Sequence, residues 1–72
     1  VNKKNEIMDK TYYFLYWKFK GKKIMIWELV TDLNFLKDYA IKHKEEIKDK
    51  KEYQNDGKFL IEDLSGKLIA EY

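Results

Sequence analysis

Between Thr11 and Val30 the chain reads TYYFLYWKFKGKKIMIWELV, dense in aromatic and β-branched side chains and broken once, around Gly21. That density predicts two strands joined by a tight turn. With a two-residue turn that includes Gly21, the period of two places Tyr13, Leu15, Trp17 and Phe19 on one face with Ile24 and Ile26. The opposite face then carries Tyr12, Phe14, Tyr16 and Lys18 with Met25, Trp27 and Leu29. Both faces are apolar, and an odd-length loop would change which residues share a face without making either face polar.

After Val30 the period changes. Leu33, Leu36, Ala40, His43 and Ile47 fall within a stripe of roughly 80° on a helix, the width of a face laid against a sheet. Thr31 or Asp32 supplies a side chain able to cap the first amides, and helical character is expected to continue to about Lys51. Phe35 and Ile41 lie about 120° to either side of the stripe's centre. The later part, KHKEEIKDKKEYQ, is expected to face solvent, supported by the i,i+4 pairs Asp38–Lys42 and Glu46–Lys50, with Asn55-Asp56-Gly57 as its end.

The remaining segment, GKFLIEDLSGKLIAEY, reads as a second hairpin turning at Asp63-Leu64-Ser65-Gly66. Asp at the first position and Gly at the fourth suit a type I turn with a following glycine bulge. The fold class expected is α+β: two β-hairpins forming a four-stranded, largely antiparallel sheet, with one central helix packed on one face, in the order ββαββ. Residues 1–10, VNKKNEIMDK, offer only Val1, Ile7 and Met8 for burial and read as a tail; 11–72 form the domain.

One helix covers one face of such a sheet. The other face is left with aromatic side chains in water, and an uncovered apolar patch normally marks an interface. The expected partner-binding set is therefore Tyr12, Phe14, Tyr16, Met25 and Trp27, types enriched at interface cores. The chain has 72 residues and no cysteine, so neither disulfides nor thiolate metal sites brace it, which also points to self-association. The function expected is a non-enzymatic protein-interaction module, a homodimer or a clamp on a protein partner.

Charge adds a second reading. Net charge is +2, but residues 1–30 hold seven lysines and three acids while 31–72 hold eight lysines and ten acids. Lys18, Lys20, Lys22 and Lys23 lie beside the aromatic strands, and single-stranded nucleic acids bind where rings stack on bases and lysines follow phosphates. The competing account is that a lysine cluster at a hairpin tip keeps a strand edge soluble. Arginine is absent, so bidentate reading of guanine in a duplex is excluded. A third reading is a small-ligand sponge at an oligomer interface lined by the same aromatics.

Arg, Pro, Gly and Ala together supply five residues, a codon signature of an AT-rich genome. Small proteins of that kind include phage and mobile-element products that inhibit a larger host machine by occupying its surface. No apolar run approaches the ~18 residues of a membrane span and none opens the chain as in a signal peptide, so the expected location is cytoplasmic, or host cytoplasm for a phage product.

Catalysis has no support in the sequence. A Ser-His-acid triad would need the sole serine, Ser65, and the sole histidine, His43, yet Ser65 reads as a turn residue. The pairs Glu45-Glu46 and Glu62-Asp63 are adjacent in sequence and diverge on a helix or strand. His43 and Glu46 have helical metal-ligand spacing but need further ligands, so no metal and no cofactor is expected. Glu28, between Trp27 and Leu29, is expected at the strand end in water, since a buried carboxylate there needs a partner.

Overall fold

The computed structural model of the chain describes residues 10–51 and 57–72. Lys20 and Gly21 both have positive φ, 51° and 78°, the handedness of a two-residue hairpin turn whose twist matches its strands. Phe19 and Lys22 close that turn as a cross-strand pair. It joins β1 (Tyr13–Phe19) to β2 (Lys22–Val30), as the sequence predicts. The second turn also has the expected chemistry. Asp63 Oδ1 accepts from the Ser65 amide (2.9 Å), the Ser65 hydroxyl (2.7 Å) and the Lys67 amide (2.9 Å). Gly66, at φ 89°, donates to the Asp63 carbonyl and leads from β3 (Lys58–Asp63) into β4 (Leu68–Glu71).

Between the hairpins lies α1 (Leu33–Ile47), capped by Asp32, whose carboxylate accepts from the Phe35 amide at 3.1 Å. It stops about a turn short of the expected Lys51. Lys48 is its C-cap and the Lys50 amide closes a turn onto the Ile47 carbonyl at 3.0 Å. Ile47 is the last apolar residue of the stripe, and residues 48–51 beyond it are all exposed, so no packing there holds a further helical turn. The expected end signal, apart from Gly57, and the expected tail, apart from Lys10, lie outside the described residues.

The strands run in the order β2-β1-β3-β4, each antiparallel to its neighbour. β2 and β3 are therefore parallel with β1 between them, and α1 carries the chain across the sheet from one edge to the interior. The helix covers the face of Tyr13, Leu15 and Trp17. Leu15, Leu36, Ala40, Phe59 and Ile61 form the buried core there, flanked by Val30, Leu33, Ile47 and Tyr72. Lys44 fastens the helix to the sheet's far end, donating to the carbonyls of Gly57 (2.7 Å) and Tyr72 (3.3 Å). The fold is thus the α+β arrangement, ββαββ, that the hydrophobic pattern predicts.

Candidate interaction surface

The two edges of the sheet are unequal. β4 has four residues, while β2 has nine, all exposed except Val30. Ile24, Met25, Ile26, Trp27 and Leu29 on β2 are among the large apolar side chains most open to water. Surface of this kind on a strand edge combines an apolar patch with a row of backbone groups facing outward.

β2 is also irregular. Tyr16 pairs with Met25, but Leu15 pairs with Trp27, so Ile26 is an inserted residue. A second shift lies between the Leu15–Trp27 and Tyr13–Val30 pairs, where Leu29 takes φ 52°. An inserted residue leaves two successive side chains opposite one and re-aims the side chains beyond it. Trp27 consequently lies on the helix side, against the expectation that it shares the uncovered face with Tyr16. Its ring meets Phe35 edge-on at 5.2 Å and Tyr39 at 6.0 Å. Simple alternation cannot reveal this, because nothing in KKIMIWELV marks where the extra residue enters.

Trp17, Ile26, Tyr39, His43, Ile47, Lys50 and Phe59 line a groove of ≈ 270 Å³ between the sheet and the helix. Tyr39 and His43 are in contact with centroids 4.0 Å apart and ring planes tilted by 35°, and His43 Nδ1 is 3.1 Å from Glu46 Oε1. A hollow of ≈ 380 Å³ on the outer flank of α1 shares Tyr39 and His43 and adds Phe35, Asp38 and Lys42. Sequence reasoning placed Phe35 off the core stripe but did not join it to β2. Its separation in sequence from Trp27 gave no signal for the contact.

The face away from the helix holds the other expected residues. Phe14 and Tyr16 stack there, 6.3 Å apart, both half-buried, with Met25 beside Tyr16 across the strand pair. Tyr12 is half-buried just before β1. Leu60, paired with Tyr16 and Glu71, is only 8% exposed and lies outside the helix-side core. This face is less open than the sequence suggests, because charged side chains lie over it. Lys23 Nζ is 4.2 Å from the Tyr16 ring centre and 2.5 Å from Glu62 Oε2, and Lys58 pairs with Glu71 at 2.9 Å.

The four hairpin lysines do not form one cluster. Lys18 faces Lys23 and Lys58 across the two neighbouring strands, making a row of three on the far face. Lys20, at the turn, places Nζ 5.2 Å from the Phe19 ring centre. Lys22 pairs with Phe19 at the start of β2. Ser65 is engaged by Asp63, and Glu28 is exposed. Among the described residues, no group of three His, Cys, Asp or Glu side chains converges as metal ligands, and no helix is long and apolar enough to cross a membrane.

Among the described residues, two carboxylates are held below their ordinary range. Asp63 is lowered chiefly by the Ser65 hydroxyl and the Lys67 amide, Glu71 chiefly by its hydrogen bond and charge attraction to Lys58. Asp63 thus braces the β3–β4 turn, and Glu71 ties β4 to Lys58 at the start of β3.

Comparison with protein-family models, curated proteins and solved structures finds no match.

Proposed function

We propose that the chain is a non-catalytic interaction module that self-associates through the β2 edge and the helix-side groove beside it. The observation that carries this reading is the run Ile24-Met25-Ile26-Trp27, apolar throughout and exposed on the long edge of the sheet. A cluster of that kind in a chain of this size is better spent between subunits than in water. This moves the interface from the far sheet face to the edge, keeps Met25 and Trp27 in it, and leaves Tyr12, Phe14 and Tyr16 outside.

Sedimentation velocity across a concentration series tests the reading. Wild type forms a discrete oligomer, and Ile24→Lys, at a side chain 55% exposed, returns it to monomer with circular dichroism unchanged. A wild type that stays monomeric up to about 1 mM, where binding amounts to roughly 4 kcal/mol, overturns it.

Single-stranded nucleic-acid binding is the second reading, favoured by the row Lys23, Lys18 and Lys58 beside Phe14 and Tyr16. Carboxylates already neutralise two of the three lysines, and Lys23 occupies one face of Tyr16. Both tryptophans pack on the helix side, so the suitable readout is anisotropy of a labelled oligonucleotide over a salt series. Binding that weakens steeply with salt supports this reading, and no binding at low salt removes it.

A further inference from the structure

Resting on self-association as proposed above, the structure narrows the way two copies meet. We propose that β2 of one copy pairs antiparallel with β2 of a second, centred on Met25, so that two four-stranded sheets become one continuous sheet.

The edge supplies the first argument. β2 ends the sheet, no described strand lies beyond it, and its apolar centre contains no charge to discourage another strand. Edge strands are ordinarily blunted by short length or charge at the middle, as the four-residue β4 is by length.

Charge distribution supplies the second and selects the occupant. Lys22 and Lys23 open β2 and Glu28 lies near its end, with only apolar residues between. Neither Lys22 nor Glu28 has an ion pair within the described chain. Antiparallel pairing sets the lysine end of each copy alongside the glutamate end of the other, twice per dimer, whereas parallel pairing sets like against like. With Ile26 counted as the inserted residue, Met25 lies midway along the edge between Lys23 and Glu28, so it lies on the two-fold axis, with Ile24 facing the Ile26–Trp27 bulge of the second copy. A strand whose own charges complement it in this way fits a second copy of itself.

Backbone geometry marks the limit of the pairing. Leu29 is a leucine at φ 52° and 55% exposed, in a backbone conformation that an L side chain adopts only with strain. It falls within the second register shift of β2, which ends the pairing edge after Glu28. The bulge at Ile26 turns Ile26 and Trp27 to the helix side, where the grooves of the two copies adjoin across the axis.

The chain lacks cysteine, so single cysteines report on proximity without background. Under mild oxidation Met25→Cys gives mostly disulfide-linked dimer, while Leu64→Cys, 65% exposed in the β3–β4 turn, gives less than about a tenth as much. In sedimentation, Glu28→Lys, which sets a further positive charge against the lysine end of the second copy, weakens the dimer about tenfold, while Glu28→Gln weakens it less than about threefold. Circular dichroism and a thermal melt confirm that each variant folds. An oligomer that forms in solution while Met25→Cys cross-links no better than Leu64→Cys, or one that Glu28→Lys leaves as tight as wild type, overturns the strand pairing and leaves self-association standing. A wild-type monomer overturns both.

Discussion

Trp27 stands edge-on to Phe35, ring centres 5.2 Å apart at 83°, and the two join the β2 edge to the first turns of α1. Each residue keeps about two-fifths of its surface in water, 40% for Trp27 and 42% for Phe35. The contact thus closes one side of the core while presenting its outer surface to whatever approaches β2. Trp27→Ala removes this contact and the one with Tyr39, and with them a lid beside Leu15. A fully buried tryptophan loses about 3–5 kcal/mol on truncation; half-exposed, this one is expected to lose about 1.5–3. Met25→Ala, on the other face of the same strand, is expected to lose less than about 1 kcal/mol. Urea denaturation at concentrations where the chain is monomeric measures both.

The β1–β2 turn holds a removable strain. Lys20 sits at φ 51° in a position where asparagine or glycine is at ease and a lysine is not. Its attraction to the Phe19 ring, at 5.2 Å and exposed, offsets only part of that. Lys20→Asn is expected to raise stability by about 0.5–1 kcal/mol, while Gly21→Ala, at φ 78°, lowers it by about 1–2 although no atom obstructs the added methyl. Thermal melts of the two variants should move in opposite directions.

Acid stability depends on Asp63 and Glu71. Both have folded pKa values depressed below their unfolded values, so the stability they contribute is complete above the ordinary carboxylate range and is lost as pH falls through the folded values. A melt series from pH 6 down to about pH 2 should show wild type losing stability below about pH 4. Asp63→Asn, which lacks the charged acceptor for Ser65 and Lys67, starts less stable at pH 6 and loses less on acidification. Parallel curves for the two proteins would show that the turn carboxylate plays no part in the acid limb.

Much of this architecture was legible in the sequence because local chemistry fixed it. Gly21 in a two-residue turn, Asp63 and Gly66 at the two ends of a four-residue turn, Asp32 before an apolar stripe and the alternation of Tyr13, Leu15 and Trp17 each point to one geometry. The candidate site was less legible because it depends on non-local pairing. Period-two reading assigns Trp27 to the face of Tyr16, and two register shifts in β2 carry it to the other. Strand order was the second hidden term. Only when β1 is paired on both sides does β2 become an edge, and only then do Ile24 and Ile26 become exposed surface rather than core.

The face away from the helix yields the last prediction, because Lys18 and Lys23 are cross-strand neighbours with opposite roles. Lys23 bridges two groups, its ammonium lying 4.2 Å from the Tyr16 ring centre and 2.5 Å from a Glu62 carboxylate oxygen. The Glu62 side chain is only 15% exposed. An exposed ion pair is worth about 0–1 kcal/mol, but removing the lysine also leaves a shielded carboxylate unpaired and one ring face bare. Lys23→Ala is therefore expected to destabilise by about 1–2 kcal/mol. Lys18 instead sits between two like charges, Lys23 and Lys58, so Lys18→Ala should change stability by no more than about 0.5 kcal/mol. Glu62→Gln removes the unpaired charge, so adding it to Lys23→Ala should recover part of the loss. A double-mutant cycle in urea measures that coupling, and simple additivity would mean that Glu62 does not depend on Lys23 for its charge.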